Sequence, residues 1–216
     1  MDDEPQDCCF DDWVGHWTAR VRRRPTAAGV TVPLIEALEQ AGVRGRTVLD
    51  IGCGIGDVAT ATLVRGATSA YGVELSPRAV AEARRLADER GVGDRATFTV
   101  GDGAKVPLPE SDVVVLNRVF CCYPDIDNLL ERSVAAARDV YAFTAPPSTG
   151  AIGAYGRVHT RISNVYYRWR DAKFHGFRVF IHDLERVDAR LRRAGFSPIR
   201  RERRRVTWQL AVYARA

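Results

Sequence analysis

Residues 48–57 read Val48-Leu49-Asp50-Ile51-Gly52-Cys53-Gly54-Ile55-Gly56-Asp57. An apolar run suited to a β-strand ends on an acid, Asp50. Three glycines follow at alternate positions, and Asp57 opens a helix. Glycine accepts the left-handed backbone that so tight a turn needs, and it leaves room for a ligand against the main chain. Strand, glycine turn and helix make the ligand-binding corner of an α/β sheet. A dinucleotide turn, G-x-G-x-x-G, holds a pyrophosphate on a helix N-terminus. Here the form is D-x-G-x-G-x-G, and Asp50 and Asp57 bracket it with negative charge. Two carboxylates repel a pyrophosphate. They suit a ligand that carries an ammonium and a sulfonium and no phosphate.

The flanking sequence continues the alternation. Strands are expected at 46–51, 70–74, 97–100, 112–116 and 140–144. Helices are expected at 26–42, 57–65, 77–90, 126–138 and 183–194, the third capped by Ser76 with Pro77 at its first position. Residues 197–204 and 206–214 pair as a hairpin. The pattern predicts one α/β domain over 1–216: a Rossmann-like, doubly wound, mostly parallel seven-stranded sheet with an antiparallel C-terminal hairpin strand. Phe10, Trp13, Trp17 and Val21 have helical spacing, so residues 1–25 read as an N-terminal lid arm. Residues 151–181 are rich in Tyr, Phe, Arg and His, contain no clear strand, and read as an insert that covers the substrate.

The chain has 216 residues, 46% of them hydrophobic and 27% charged, as expected of a globular domain with a full core. The acidic N-terminus has no apolar run, and no stretch approaches the ~20 residues of a membrane helix, so a cytoplasmic protein without membrane partners is expected. The net charge of +5 is carried almost entirely by arginine, Lys105 and Lys173 being the only lysines. Arg200, Arg201, Arg203, Arg204 and Arg205 form one cluster. It reads as the solvated face of a strand, or as a site for an acidic substrate or a nucleic-acid backbone. The five cysteines, Cys8, Cys9, Cys53, Cys121 and Cys122, lack zinc-site spacing, and no metal site is expected.

Ligands in such sheets bind at the carboxyl ends of the strands. Strand one ends at Asp50 and the glycines. Strand two ends at Glu74, 24 residues later, where an acid can accept both ribose hydroxyls. Strand three ends at Gly101-Asp102-Gly103, where a short acid can accept from an adenine amino group. Strand four ends at Leu116-Asn117-Arg118.

These motifs, in this order over residues 46–145, resemble the class I S-adenosylmethionine-dependent methyltransferases. The resemblance implies that S-adenosylmethionine is the cofactor and S-adenosylhomocysteine the product. It implies that Asp50, Gly52, Cys53, Gly54 and Gly56 hold the methionine moiety and Glu74 the ribose. Leu75 would lie against the adenine, Asp102, Gly103 and Ala104 along its edge, and Asn117 beside the methyl group, mainly through its backbone. Tyr123-Pro124 and Ala145-Pro146 are similar to segments of the magnesium-protoporphyrin methyltransferases, which implies a shared architecture. That family has His before Tyr-Pro and Tyr before Phe in its N-terminal arm, where this chain has Cys122 and Cys9. The architecture is kept and the porphyrin acceptor set aside.

The Pro-Pro-Tyr and Pro-Cys signatures of nucleic-acid methyltransferases are absent after strand four, so no nucleic-acid partner is expected. The leading expectation is methyl transfer to O, S or N of a small-molecule substrate by a monomer or homodimer. Cys9 and Cys122 suggest a soft acceptor such as a thiol, a dithiol or a trivalent metalloid; equally they suit small apolar wall positions. His159 is the candidate general base, with His16 in the lid behind it. An NAD(P)-dependent oxidoreductase and a non-catalytic cofactor-binding module are the readings from other classes.

Overall fold

The computed structural model describes residues 10, 11, 14, 15, 18, 19, 29–171, 176–204 and 207–215. Helix α1 (Thr31–Gln40) precedes strand β1 (Thr47–Ile51). The chain then alternates through α2 (Asp57–Val64), β2 (Ser69–Glu74), α3 (Pro77–Glu89), β3 (Ala96–Val100), β4 (Ser111–Asn117), α4 (Ile126–Ala135) and β5 (Ala137–Ala145). Helices α5 (Gly150–Trp169) and α6 (Leu184–Arg193) follow, then the hairpin of β6 (Phe196–Arg204) and β7 (Trp208–Arg215).

The seven strands form one sheet in the order β3-β2-β1-β4-β5-β7-β6. The first five pair in parallel, and β7 runs antiparallel between β5 and β6. This is the Rossmann-like sheet expected from the sequence. Strand order reverses between β1 and β4, which opens a crevice beyond their carboxyl ends.

Alternation along the strands builds a core on each face. Val113 and Val115 of β4 join Leu34, Leu38, Val58, Leu63 and Val80 from α1, α2 and α3. Val114 and Leu116 point the other way, to Leu129 and Leu130 of α4 and to Val187 and Leu191 of α6. Helices cover both faces, so the central strands read as unbroken aliphatic runs. Each such side chain contributes about 1.5–3 kcal/mol by leaving water.

Local chemistry sets the boundaries. Ser76 Oγ accepts from the Ala79 N–H at 3.0 Å and caps α3, with Pro77 at its first position. The helix expected over 126–138 stops at Ala135, and β5 starts at Ala137 rather than 140. The alanines there favour helix, but Ser111 N donates to Ala136 O at 2.9 Å and draws the chain into the sheet. Residues 150–169, where the sequence suggested no element, form the 20-residue helix α5. Asp11, Val14, Gly15, Thr18 and Ala19 have helical backbone, and Val14 is buried against Ile55 and Ala79. Trp13, Trp17 and residues 20–25 of the lid arm lie outside the described residues.

Three arginines of the cluster on the edge strand are paired with acids. Arg201 pairs with Asp188, Arg200 and Arg204 both pair with Glu202, and Arg200 also donates to Gln40. Charge on an edge strand discourages pairing with another sheet. Arg205 lies outside the described residues. No helix among the described residues is long and apolar enough to cross a membrane.

Gly72, in the middle of β2, makes room for the core beneath the glycine turn. A Cβ there would stand 2.5 Å from Phe98 Cδ1 and 2.8 Å from Cys53 Sγ. Gly72→Ala is therefore expected to destabilise the fold by about 1–3 kcal/mol. Denaturant unfolding measures this, and an unchanged midpoint would contradict the packing described.

Candidate active site

The carboxyl ends of β1 to β4 open into a cavity of about 690 Å³. Of the residues expected at the site, Asp50, Gly52, Cys53, Gly54, Glu74, Leu75, Asp102, Gly103, Asn117, Cys122 and His159 line it. Gly56 and Ala104 stand outside the lining. A Cβ on Gly56 would lie 2.9 Å from Ala83 Cβ, so this glycine lets α2 pack against α3. Ala104 N–H is spent on Asp102 Oδ1 at 2.9 Å. Cys9 and His16 lie outside the described residues.

The glycine turn takes the left-handed backbone its sequence requires, with φ of 67°, 54° and 72° at Gly52, Gly54 and Gly56. Gly52 N and Cys53 N donate to Val73 O at 2.8 and 3.1 Å, which ties the turn to β2. Glu74 secures the other side. Its Oε2 accepts from Gly54 N and its Oε1 from Ser76 N, both at 3.0 Å. Burial pushes its pKa up, and these N–H groups draw it back.

Asp50 differs. Its Oδ2 accepts from Ala59 N at 3.2 Å, while Oδ1 is buried with no hydrogen-bond partner among the described residues. Burial pushes this carboxyl well above the usual carboxylate range, and the charges of Asp57 and then Glu74 push it further. Burial also raises Asp57. Buried polar atoms are nearly always paired, so an unpaired carboxylate oxygen at a cavity wall fits a cationic donor from the ligand. The ammonium of S-adenosylmethionine has that chemistry, and no phosphate is present to be repelled.

At the other end, Leu75 faces the cavity half-exposed, as suits a flat apolar ring lying on it. Asp102 Oδ1 accepts from the Tyr123 hydroxyl at 2.8 Å, and Lys105 Nζ stands 3.4 Å from Oδ2. Tyr123-Pro124, noted in the sequence as a family likeness, thus orients the β3 acid. Asn117 spends its side chain on structure: Nδ2 donates to Thr31 Oγ1 at 3.0 Å and Oδ1 accepts from Thr144 Oγ1 at 2.8 Å. Only its backbone is left for a ligand.

Several lining residues were not singled out from the sequence. Arg118 is the one non-glycine residue with positive φ (64°) among those described. Thr144 Oγ1 accepts its N–H at 2.9 Å, and its guanidinium lies 5.2 Å from the Trp208 ring centroid. No local pattern marks a strained residue of this kind. Cys121 lines the cavity beside Cys122, with the two Sγ atoms 3.2 Å apart. The Cys122 contact, helped by the Arg118 charge, draws the Cys121 thiol below its usual pKa against the effect of burial.

The far wall comes from α5 and residues 177–181, including Tyr155, His159, Tyr167, Phe177 and Phe180, with Phe10 from the N-terminal segment. Phe180 N donates to Cys121 O at 2.8 Å, and His182 Nε2 is 2.9 Å from Tyr123 O. These bonds stitch the covering segment to the cysteine loop. His159 Nδ1 lies 3.4 Å from Ser163 Oγ.

Residues 48–139 match the family described as a methyltransferase domain, a little under half of the chain. Ribosomal protein L11 methyltransferase of Pasteurella multocida (strain Pm70) is 37% identical over 87 residues, 40% of this chain and 29% of that protein. The same enzyme of Histophilus somni (strain 2336) is 33% identical over 105 residues, 47% of this chain and 35% of that protein. The chain thus spans about a third of the length of these curated relatives. Among solved structures, magnesium protoporphyrin IX methyltransferase of Synechocystis PCC 6803 with bound S-adenosylhomocysteine superposes with a TM-score of 0.68 at 22% identity, covering 87% of this chain and 82% of that one. An O-methyltransferase family 2 protein from Planctomyces limnophilus also gives 0.68, at 18% identity, over 95% and 62% of the two chains. At such identities the superpositions speak for the fold. Sheet order, glycine turn, strand-end acids and the methyltransferase-domain match over residues 48–139 together support a class I S-adenosylmethionine-dependent methyltransferase.

Proposed function

We propose that the protein transfers the methyl group of S-adenosylmethionine to a heteroatom of a small molecule held under α5. The observation that carries this reading is the buried, unpartnered Oδ1 of Asp50 beside Glu74 at the carboxyl ends of β1 and β2. Asp50 and the backbone of the glycine turn would hold the methionine end. Glu74 would accept the ribose hydroxyls with its remaining lone pairs, Leu75 would pack on the adenine, and Asp102 would take the adenine amino group. When bound, this cofactor supplies an electrophilic methyl group. The chain aligns an acceptor against it and excludes water, and alignment alone is worth several kcal/mol.

The cavity favours a small acceptor over a protein side chain. Tyr155, Tyr167, Phe177, Phe180 and Trp208 make most of its far wall apolar, and Arg118 supplies a cation at that end. An apolar or aromatic molecule bearing an acidic group fits both features. His159 would serve as a general base if the acceptor must lose a proton. The likeness to enzymes named for ribosomal protein L11 spans a fraction of those proteins. The chain would act as one domain in the cytoplasm, as a monomer or homodimer, with residues 1–25 and 151–181 closing the site.

One observation favours a second reading, a soft acceptor. Cys121 and Cys122 present two thiols 3.2 Å apart on the cavity wall, a geometry suited to chelating a trivalent metalloid or exchanging with a thiol. Under that reading Cys121→Ser and Cys122→Ser each reduce turnover of thiol or metalloid acceptors by at least about tenfold, with S-adenosylhomocysteine affinity unchanged. Equal turnover would remove it.

Titration calorimetry tests the cofactor directly. S-adenosylhomocysteine is expected to bind, and NAD and NADP are not; the reverse order would overturn the proposal. Glu74→Ala is expected to weaken S-adenosylhomocysteine binding by about 1–3 kcal/mol through loss of the ribose contact and of the cap on Gly54.

Proton linkage gives an independent check. The folded pKa values of Asp50, Asp57 and Glu74 lie above their ordinary values. The ligand-free fold therefore keeps protons that the unfolded chain has lost, and its stability falls as pH rises from about 4 through the raised values. A cation at Asp50 favours the ionised form, so binding releases protons in this window and tightens as pH rises through it. Binding heats near pH 5 should then differ between buffers of unlike ionisation enthalpy. Identical heats would contradict the placement.

A further inference from the structure

Ten large hydrophobic side chains are exposed among the described residues, and six of them lie on α5. Tyr155, Val158, Ile162, Val165, Tyr166 and Trp169 are each 45–77% exposed. Tyr155 also lines the cavity; from Val158 to Trp169, steps of three and four residues line up the other five as one stripe along the helix. The cavity takes the adjoining side of α5: Ile152, Tyr155, Gly156, His159, Thr160, Ser163 and Tyr167 line it, and Gly153 is buried. Val158, Ile162 and Val165 are exposed and do not line the cavity. An exposed apolar stripe of this length marks an interaction surface.

Charge selects what covers it. From Gly150 to Arg170 there are four arginines, Arg157, Arg161, Arg168 and Arg170, and no acidic residue. Arg157 donates to Ser148 O at 2.6 Å, and Arg170 lies over the rings of Tyr166 and Trp169 at 5.8 and 5.6 Å. Arg161 and Arg168 are exposed and have no ion-pair partner among the described residues. Packing the same helix of a second copy on the stripe would bring arginines toward arginines, which is repulsive. A lipid surface with anionic headgroups meets both features. Valine, isoleucine, tyrosine and tryptophan enter the boundary between headgroups and acyl chains, and the arginines meet phosphate.

We propose that α5 docks the protein, stripe inward, on an anionic bilayer surface. The helix lies on the membrane and does not span it. The same helix that walls the cavity then touches lipid, which suits delivery of an apolar acceptor. Docking itself does not depend on which acceptor is used.

Flotation of the full chain with vesicles tests this. One set is phosphatidylcholine alone, and the other contains about a third phosphatidylglycerol. Binding is expected on the anionic vesicles and much less on the neutral ones. The combined Ile162→Ser, Val165→Ser and Trp169→Ser variant should bind about tenfold more weakly or worse. Arg161→Glu with Arg168→Glu should lose about twentyfold on anionic vesicles. None of these residues lines the cavity, so circular dichroism and S-adenosylhomocysteine affinity should match the parent chain. If that affinity is lacking in the parent too, the cofactor reading fails while the flotation result stands. Failure of the parent chain to float with anionic vesicles would overturn the proposal. So would undiminished binding by either variant. A dimer in sedimentation equilibrium that the triple serine variant dissociates would assign the stripe to a second copy instead.

Discussion

A buried carboxylate with an unmet hydrogen-bond acceptor is costly, and the rest of the site is arranged around one. Asp50 sits near the carboxyl end of β1, enclosed by the glycine turn and within the field of Asp57 and Glu74. Nothing in the described chain neutralises Oδ1. Without a ligand the carboxyl keeps its proton, since an isolated buried charge costs several kcal/mol, and a cationic donor at Oδ1 would favour the ionised form. The sheet makes this possible. With both faces covered by helices, it holds the ends of β1 and β2 rigidly enough to keep carboxylates close together.

The second half of the site follows from the first. The glycine turn is fixed to β2 through Val73 O and to Glu74 through Gly54 N, so the turn and the β2 acid are positioned as one unit. Asp102 is oriented from the other side of the switch point by Tyr123. The Tyr123 loop is held in turn by Phe180 N and His182. Residues 177–182 and Asp102 are therefore linked through hydrogen bonds, and movement of that segment would reach Asp102.

What was legible in the sequence is what local chemistry fixes. Asp50 and the three glycines announced the turn, since few backbones other than glycine reach φ of 54–72°. Ser76-Pro77 announced the start of α3. The aliphatic runs around Val48 and Val114 announced strands buried on both faces. What was not legible depended on partners distant in the chain. Alanines 135–137 favour helix, and only pairing with Ser111 turns Ala137 into strand. Helix α5 was hidden because its apolar residues lie on two sides, Ile152 and Tyr167 toward the cavity and Val158, Ile162, Val165 and Trp169 toward solvent, which blurs the single stripe of an ordinary surface helix. The strained backbone of Arg118 depends on Thr144, 26 residues away. Cys122 stands at a position the family likeness marks, whereas no such likeness marks its neighbour Cys121, equally on the wall.

A crystal structure with S-adenosylhomocysteine addresses the central claim most directly. The α-ammonium nitrogen is expected about 3 Å from Asp50 Oδ1, and both ribose hydroxyls within reach of Glu74. An ammonium placed elsewhere, with Oδ1 still unpaired, would contradict it.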